Sequence, residues 1–248
     1  EQLNEKNERI LADIILFFLM IRRAPRSTLF PYTPLFRSSP DLGNHPVGIF
    51  LLPLLQRLDP AAIHTVCYSD HKQADEFNVQ LRPLAGLWRD VWALSDEQLT
   101  EQIAADEIDV LFDLAGHTDG NRLSVFARRA APVQITWAGY VGMTGLAAMD
   151  YLLCDRFHVP PEMESPGCEH PLRMPHGYVA FEPPSYAPDV SELPALTAGF
   201  VTYCAMNNVV KINAPVVDVW AEILRAVANS RLLLKYKGFD DEIGRAHV

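Results

Sequence analysis

The chain is short of positive charge and of cysteine, and it has no apolar run long enough for a bilayer. Its 248 residues carry 21 Lys and Arg against 31 Asp and Glu, a formal net charge of −10. Nucleic acids and anionic membrane surfaces need a basic field to offset phosphate charge, so this balance argues against both as general partners. The four cysteines, Cys67, Cys154, Cys168 and Cys204, form no Cys-x-x-Cys pair, which removes the zinc-ribbon and redox-dithiol readings. Three of them lie in apolar runs, where a free thiol behaves as a small buried hydrophobe. Reduced thiols then point to a cytoplasmic location. The candidate membrane segment, Ile14 to Ile21, has eight residues, against roughly 18 needed to cross a bilayer. Acids precede it and Arg22 and Arg23 follow it, the reverse of a signal peptide's order. Also missing are Gly-x-x-x-x-Gly-Lys-Ser/Thr, Gly-x-Gly-x-x-Gly, His-Glu-x-x-His and Gly-x-Ser-x-Gly, so P-loop, simple dinucleotide, metalloprotease and serine-hydrolase chemistry lose their support. No aspartates stand as Asp-x-Asp, the pair with which metal-dependent sugar transferases hold a divalent ion, and no metal site is expected.

What is present is a globular composition, 49% apolar and 21% charged, enough to bury a core in one large α/β domain or two modest lobes. The stretch Phe17 to Ser38 (FFLMIRRAPRSTLFPYTPLFRS) has neither helical nor strand periodicity. It resembles the read-through translation of a sequencing-adapter oligonucleotide, and the tail Glu242 to Val248 (EIGRAHV) has the same character. Residues 1–38 and 242–248 are therefore expected to be artefactual or disordered and are set aside. In the rest, HTVCYS (His64 to Ser69), IDVLFDLAG (Ile108 to Gly116), VQITWAGY (Val133 to Tyr140) and MDYLLCD (Met149 to Asp155) read as buried strands. Ser95 with Gln98 three residues later forms a capping box at the start of a helix whose Leu99, Ile103 and Ala104 share a face. Strands alternating with helices predict a parallel sheet with its site beyond the carboxyl ends, in the loops after Gly116 and Tyr140. This first lobe covers 39–155, and residues 156–194 read as a Pro-rich linker.

From 195 to 241 a second unit begins, with FVTYCAM (Phe200 to Met206) as a strand and Ala214 to Val227 as a helix. Asn213 is its N-cap, Pro215 lies in its first turn, and Val216, Val219, Trp220, Ile223, Leu224 and Val227 make one apolar stripe. RLLLKY (Arg231 to Tyr236) is the next strand.

Three blocks carry a resemblance: DLGNHPVG (Asp41 to Gly48), DLAGHTDGNRLSVFARRAAPVQITWAGYVGMTGLAAMDY (Asp113 to Tyr151) and NNVVKI (Asn207 to Ile212). Together they resemble the catalytic region of O-linked N-acetylglucosamine transferases, glycosyltransferase family 41, from about Ser39 to Lys235. The resemblance implies a GT-B fold of two Rossmann-like lobes preceded by tetratricopeptide repeats. It also implies transfer of GlcNAc from UDP-GlcNAc to Ser or Thr hydroxyls of proteins, with inversion, no metal and no cofactor. On this match Lys211 is the phosphate-contacting lysine, with Asn207 and Asn208 beside it at the donor. A fixed cation there would stabilise the developing charge on the leaving diphosphate, helped by the start of the following helix. The plain alternative is a solvated lysine, at a helix end whose dipole disfavours cations. His45 matches the family's active-site histidine, as base or as binding contact, against a purely capping role. His117 and Thr118 follow a strand end, where hydrogen bonding to substrate and turn stabilisation compete.

Gly142, Thr144 and Gly145 match a Gly-rich substrate loop whose glycines let backbone approach ligand. Met143 replaces a hydroxyl residue in it, and Cys204-Ala205-Met206 replaces the family's Gly-Ser-Phe, changes expected to alter substrate fit. Trp137 and Tyr140 read as core rather than sugar platform. A one-lobed chain with a stub of the second lobe is expected to be inactive alone. The competing class is a non-catalytic remnant or protein-binding module of the same fold, and a GT-B epimerase ranks behind both.

Overall fold

Strands covered on both faces need apolar residues without alternation, and the runs at Ile63–Ser69 and Val110–Asp113 have that character. The computed structural model describes residues 2–20, 33–39, 42–163, 167–183 and 186–236, in two units divided at Pro183 and Pro184. The first unit runs α1 (Gln2–Met20), β1 (Thr33–Ser39), α2 (Pro46–Arg57), β2 (Ile63–Ser69), α3 (Glu76–Leu81), β3 (Leu87–Asp90), α4 (Asp96–Ala105), β4 (Val110–Asp113), α5 (Leu123–Ala127), β5 (Val133–Thr136), β6 (Tyr151–Asp155) and β7 (His170–Met174). All seven strands are parallel, in the order β3-β2-β1-β4-β5-β6-β7. Successive residues of one strand serve opposite faces. Phe112 joins Leu51 and Leu54 of α2 and Ile14 of α1, whereas Leu111 joins Leu99 and Ile103 of α4 and Val125 of α5. The capping box forms as expected, Gln98 N–H donating to Ser95 Oγ at 3.2 Å and Ser95 N–H to Gln98 Oε1 at 2.9 Å. Ala104, expected on the buried face, is exposed.

The segment 1–38 contains two described elements. In α1, Ile10, Leu11 and Ile14 are buried in the core, and Asp13 accepts from His176 at 2.6 Å. The strand β1 is central, flanked by β2 and β4. A ladder is built from backbone groups, so it tolerates a sequence without alternation, and Pro34, which has no N–H, stands opposite His64 one step before pairing with β4 begins at Leu35. Residues 21–32, Asp41 and the tail 242–248 lie outside the described residues. The stretch 156–194 is linker only in part: β7 falls within it as an edge strand, where Pro171 leaves no inner ladder bond unmade, and the division between units comes after Pro183.

The second unit holds α6 (Pro194–Ala198), β8 (Thr202–Ala205), α7 (Ala214–Ala226) and β9 (Arg231–Leu234), with β8 and β9 parallel. None of its described residues is buried. The α7 stripe divides: Val216, Trp220, Leu224 and Val227 are half-buried, while Val219 and Ile223 are exposed. Cys67 and Cys154 are buried as expected, but Cys204 is exposed on the open two-stranded sheet. Among the described residues no helix is long and apolar enough to cross a membrane.

Candidate active site

The strand order reverses between β1 and β4, and in a doubly wound sheet ligands sit beyond the carboxyl ends of the strands at that reversal. The β1–α2 loop carries His45 and the β4–α5 loop carries His117, so two of the sequence-predicted histidines flank this point. Each is held by an aspartate that sequence reasoning did not single out.

His45 is half-buried and is the N-cap of α2, its Nδ1 accepting the Val47 N–H at 3.4 Å. Pro46 follows at the first helical position, where its missing N–H costs nothing. Capping, the plain alternative for this residue, is therefore a real part of its work. The loop is fastened from α3: Asp75 caps that helix by accepting from Asn78 N–H at 2.6 Å and also accepts from Asn44 N–H at 2.7 Å. Burial alone would raise the Asp75 carboxyl, but the N–H groups of Asn44 and Asn78 and the nearby His71 hold it below the usual carboxylate range. Close approach explains Gly48, where a Cβ would stand 2.2 Å from the Gly43 carbonyl oxygen.

His117 is exposed, at the end of a turn organised by Asp113. That buried carboxylate accepts from Ala115 N–H and Gly116 N–H at 3.0 Å and from the Thr136 hydroxyl at 2.9 Å, joining β4 to β5. Burial pushes its carboxyl up, against the pull of those three donors. Thr118 closes the turn, its hydroxyl donating to the Ala115 carbonyl at 2.8 Å. Gly116 has a φ of +55°, and a Cβ there would meet the Tyr140 Cβ at 2.3 Å. The sequence places Tyr140 in the core with Trp137. Trp137 is buried and donates from Nε1 to the Tyr178 carbonyl at 2.7 Å. Tyr140 instead lies past the end of β5, exposed, with its ring edge-on to His117 at 5.3 Å between centroids.

The Gly-rich loop reaches the same place. His117 Nε2 lies 2.9 Å from the Thr144 carbonyl oxygen. The Thr144 hydroxyl is spent inside the loop: it donates to Glu169 at 2.5 Å and accepts from Leu146 N–H at 3.3 Å. Gly145 donates its N–H to the same Glu169 at 3.2 Å, and Gly142 packs near the Tyr140 ring. Met143 turns away to lie on Gly167, its Sδ 2.1 Å from where a Cβ there would be, so its added bulk is absorbed by a glycine. Arg122, inside the second quoted block, ties three segments together by pairing with Asp70 at 2.7 Å and Asp96 at 2.8 Å.

Lys211, Asn207 and Asn208 belong to the second unit. Lys211 ends the short 3-10 turn Val209–Lys211, separated from α7 by Ile212 and Asn213. Asn208 caps that turn through its Oδ1, which accepts from Val210 N–H at 3.1 Å, and Asn213 caps α7 by accepting from Val216 N–H at 3.1 Å. Lys211 and Asn207 are exposed, and Lys211 makes no ion pair among the described residues.

A model of the family described as Glycosyl transferase family 41 matches residues 36–182. Over 205 residues the chain is 38% identical to a Petunia hybrida protein named "Probable UDP-N-acetylglucosamine--peptide N-acetylglucosaminyltransferase SPINDLY", covering 81% of this chain and 22% of that protein. An Arabidopsis thaliana protein bearing the same enzyme name with the designation SEC is 28% identical over 206 residues, with coverages of 79% and 21%. Among solved structures, a mutant of the Thermobaculum terrenum O-GlcNAc transferase superposes with a TM-score of 0.81 at 36% identity, covering 87% of this chain and 41% of that one. The chain thus spans about a fifth of the length of these curated relatives.

Proposed function

Since the chain belongs to glycosyl transferase family 41, we propose that it carries the first lobe and the opening βαβ of the second lobe of a GT-B protein O-GlcNAc transferase. The donor is UDP-GlcNAc and the acceptor a peptide, as in the names of its curated relatives, and the acceptor groups are the Ser and Thr hydroxyls that the family resemblance implies. The observation that carries this reading is the convergence of the His45 and His117 loops on the reversal point of a parallel sheet.

Transfer from a nucleotide diphosphate builds negative charge on the leaving phosphate. Lys211, an unneutralised cation among the described residues, and the N-terminal N–H groups of α7 supply its complement. That pairing fits a metal-independent reaction, with Asn207 beside the donor and Asn208 shaping the turn, and inversion is assigned on the family resemblance alone. His45 and His117 bind or orient hydroxyl groups at the first lobe. Free cysteines fit a cytoplasmic setting.

The test is a chimaera in which residues 39–236 replace the matching stretch of the Thermobaculum terrenum enzyme. It is assayed with UDP-GlcNAc and with other nucleotide sugars, with and without EDTA. Transfer of GlcNAc to protein in EDTA is expected. Preference for another sugar would overturn the donor assignment, and loss of activity in EDTA the metal-free one. The 248-residue polypeptide assayed by itself is expected to transfer nothing, since none of the described residues of its second unit is buried.

A further inference from the structure

Glu169 precedes β7 and is buried, yet it points at the loop that holds His117. Three donors converge on its Oε1: the Thr144 N–H and hydroxyl, both at 2.5 Å, and the Gly145 N–H at 3.2 Å. Its Oε2 is buried without a hydrogen-bond partner among the described residues. A buried carboxylate is costly unless it is hydrogen-bonded, and the bonds that satisfy this one also fix a neighbour in place. What these bonds fix is the Thr144 carbonyl, whose oxygen faces His117 Nε2 at 2.9 Å. A carbonyl oxygen can only accept, so Nε2 must donate, and a neutral imidazole then carries its lone pair on Nδ1. His45 is the same tautomer fixed through the other nitrogen: its Nδ1 accepts from Val47, which puts the proton of the neutral ring on Nε2.

We propose that Glu169 is a positioning residue: acting through Thr144, it holds the His117 imidazole with its proton on Nε2, so that Nδ1 is the acceptor offered to a substrate hydroxyl. The inference rests on the transferase reading only for the identity of that hydroxyl. The Tyr140 ring packs edge-on against the same imidazole.

The test is a long-range proton–nitrogen correlation spectrum of the histidine rings in the 15N-labelled 248-residue chain. It is recorded at about pH 8, above the ordinary imidazole range of about 6.5, and needs no transferase activity. His117 is expected to show a protonated Nε2 and an unprotonated Nδ1 as one fixed tautomer. In Glu169→Ala three donors lose their acceptor. The His117 shifts should move to those of a freely exchanging imidazole, and the Thr144 and Gly145 amides should exchange with solvent at least about tenfold faster, the loss of about one hydrogen bond's protection. Glu169→Gln, whose carbonyl oxygen can still accept in place of Oε1, should keep the wild-type pattern. If Glu169→Ala does not fold, Thr144→Val, which removes the hydroxyl's bonds to Glu169 and from Leu146 N–H but keeps both backbone donors to Glu169, takes its place with a smaller shift in the same direction. A proton on Nδ1 in the unmodified chain, or a His117 spectrum indifferent to Glu169→Ala or, in its place, to Thr144→Val, overturns the proposal.

Discussion

Asp75 and Asp113 both work by accepting N–H groups, yet their carboxyls are displaced in opposite directions, because Asp113 is wholly buried and Asp75 is not. For Asp75, held low in the folded chain, the contribution is present above the unfolded value of about 3.9 and is lost as pH falls through the lower folded value. Protection of the Asn44 and Asn78 amides, relative to the unfolded chain at the same pH, should therefore fall only once the pH drops below the ordinary aspartate range, while Asp75→Asn should lower it at neutral pH. Exchange rates that do not respond to either change would remove Asp75 from the support of His45. For Asp113, removal leaves buried donors unpaired, so Asp113→Ala should lower stability by about 1–3 kcal/mol or more. Asp113→Asn should cost less, because its carbonyl oxygen can still take the Ala115 and Gly116 N–H groups. Urea titration separates the two. Of these residues, the sequence exposes those that stand in the quoted blocks, such as His45, His117 and Lys211. Asp75 and Glu169 are hidden because their partners, Asn44 and Thr144, lie 31 and 25 residues away, and no local pattern marks a long-range acceptor.

At the scale of elements, α2 illustrates how packing overrides propensity. A helical glycine replaced by alanine usually gains about 1 kcal/mol. Gly48→Ala should instead destabilise, since the new Cβ would lie 2.2 Å from the Gly43 carbonyl. A gain in melting temperature would show that the loop carrying His45 is looser than described. For α1, Ile14 is 1% exposed, and Ile14→Ala should cost about 2–5 kcal/mol, the usual range for a core aliphatic. No loss on chemical denaturation would mean that α1 does not pack on the sheet. The buried strands β2, β4, β5 and β6 are legible as apolar runs, and α4 by its capping box. By contrast, β3 is half-exposed and short, β7 carries Pro171, and β1 lies in a stretch without alternation, so none of them has a strand's sequence signature. Tyr140 reads as core because it continues the apolar run of β5, which in fact ends at Thr136.

At the scale of the whole molecule, the α/β class, the parallel sheet and the beginning of a second βαβ follow from alternating strand and helix patterns, but the activity does not. Parallel sheets serve many chemistries, and the assignment depends on which side chains stand at the reversal point and on the family match. In the proposed reaction the second unit would contribute through Lys211, on a turn whose form is set by Asn208 and whose neighbour helix is capped by Asn213. The most direct measurement compares GlcNAc transfer by the chimaera carrying residues 39–236 with transfer by the same chimaera bearing Lys211→Ala. Transfer by the first, reduced by at least about a hundredfold in the second, is the result expected of a charge-stabilising cation. A folded chimaera that transfers nothing, or one whose activity ignores Lys211, would contradict the assignment.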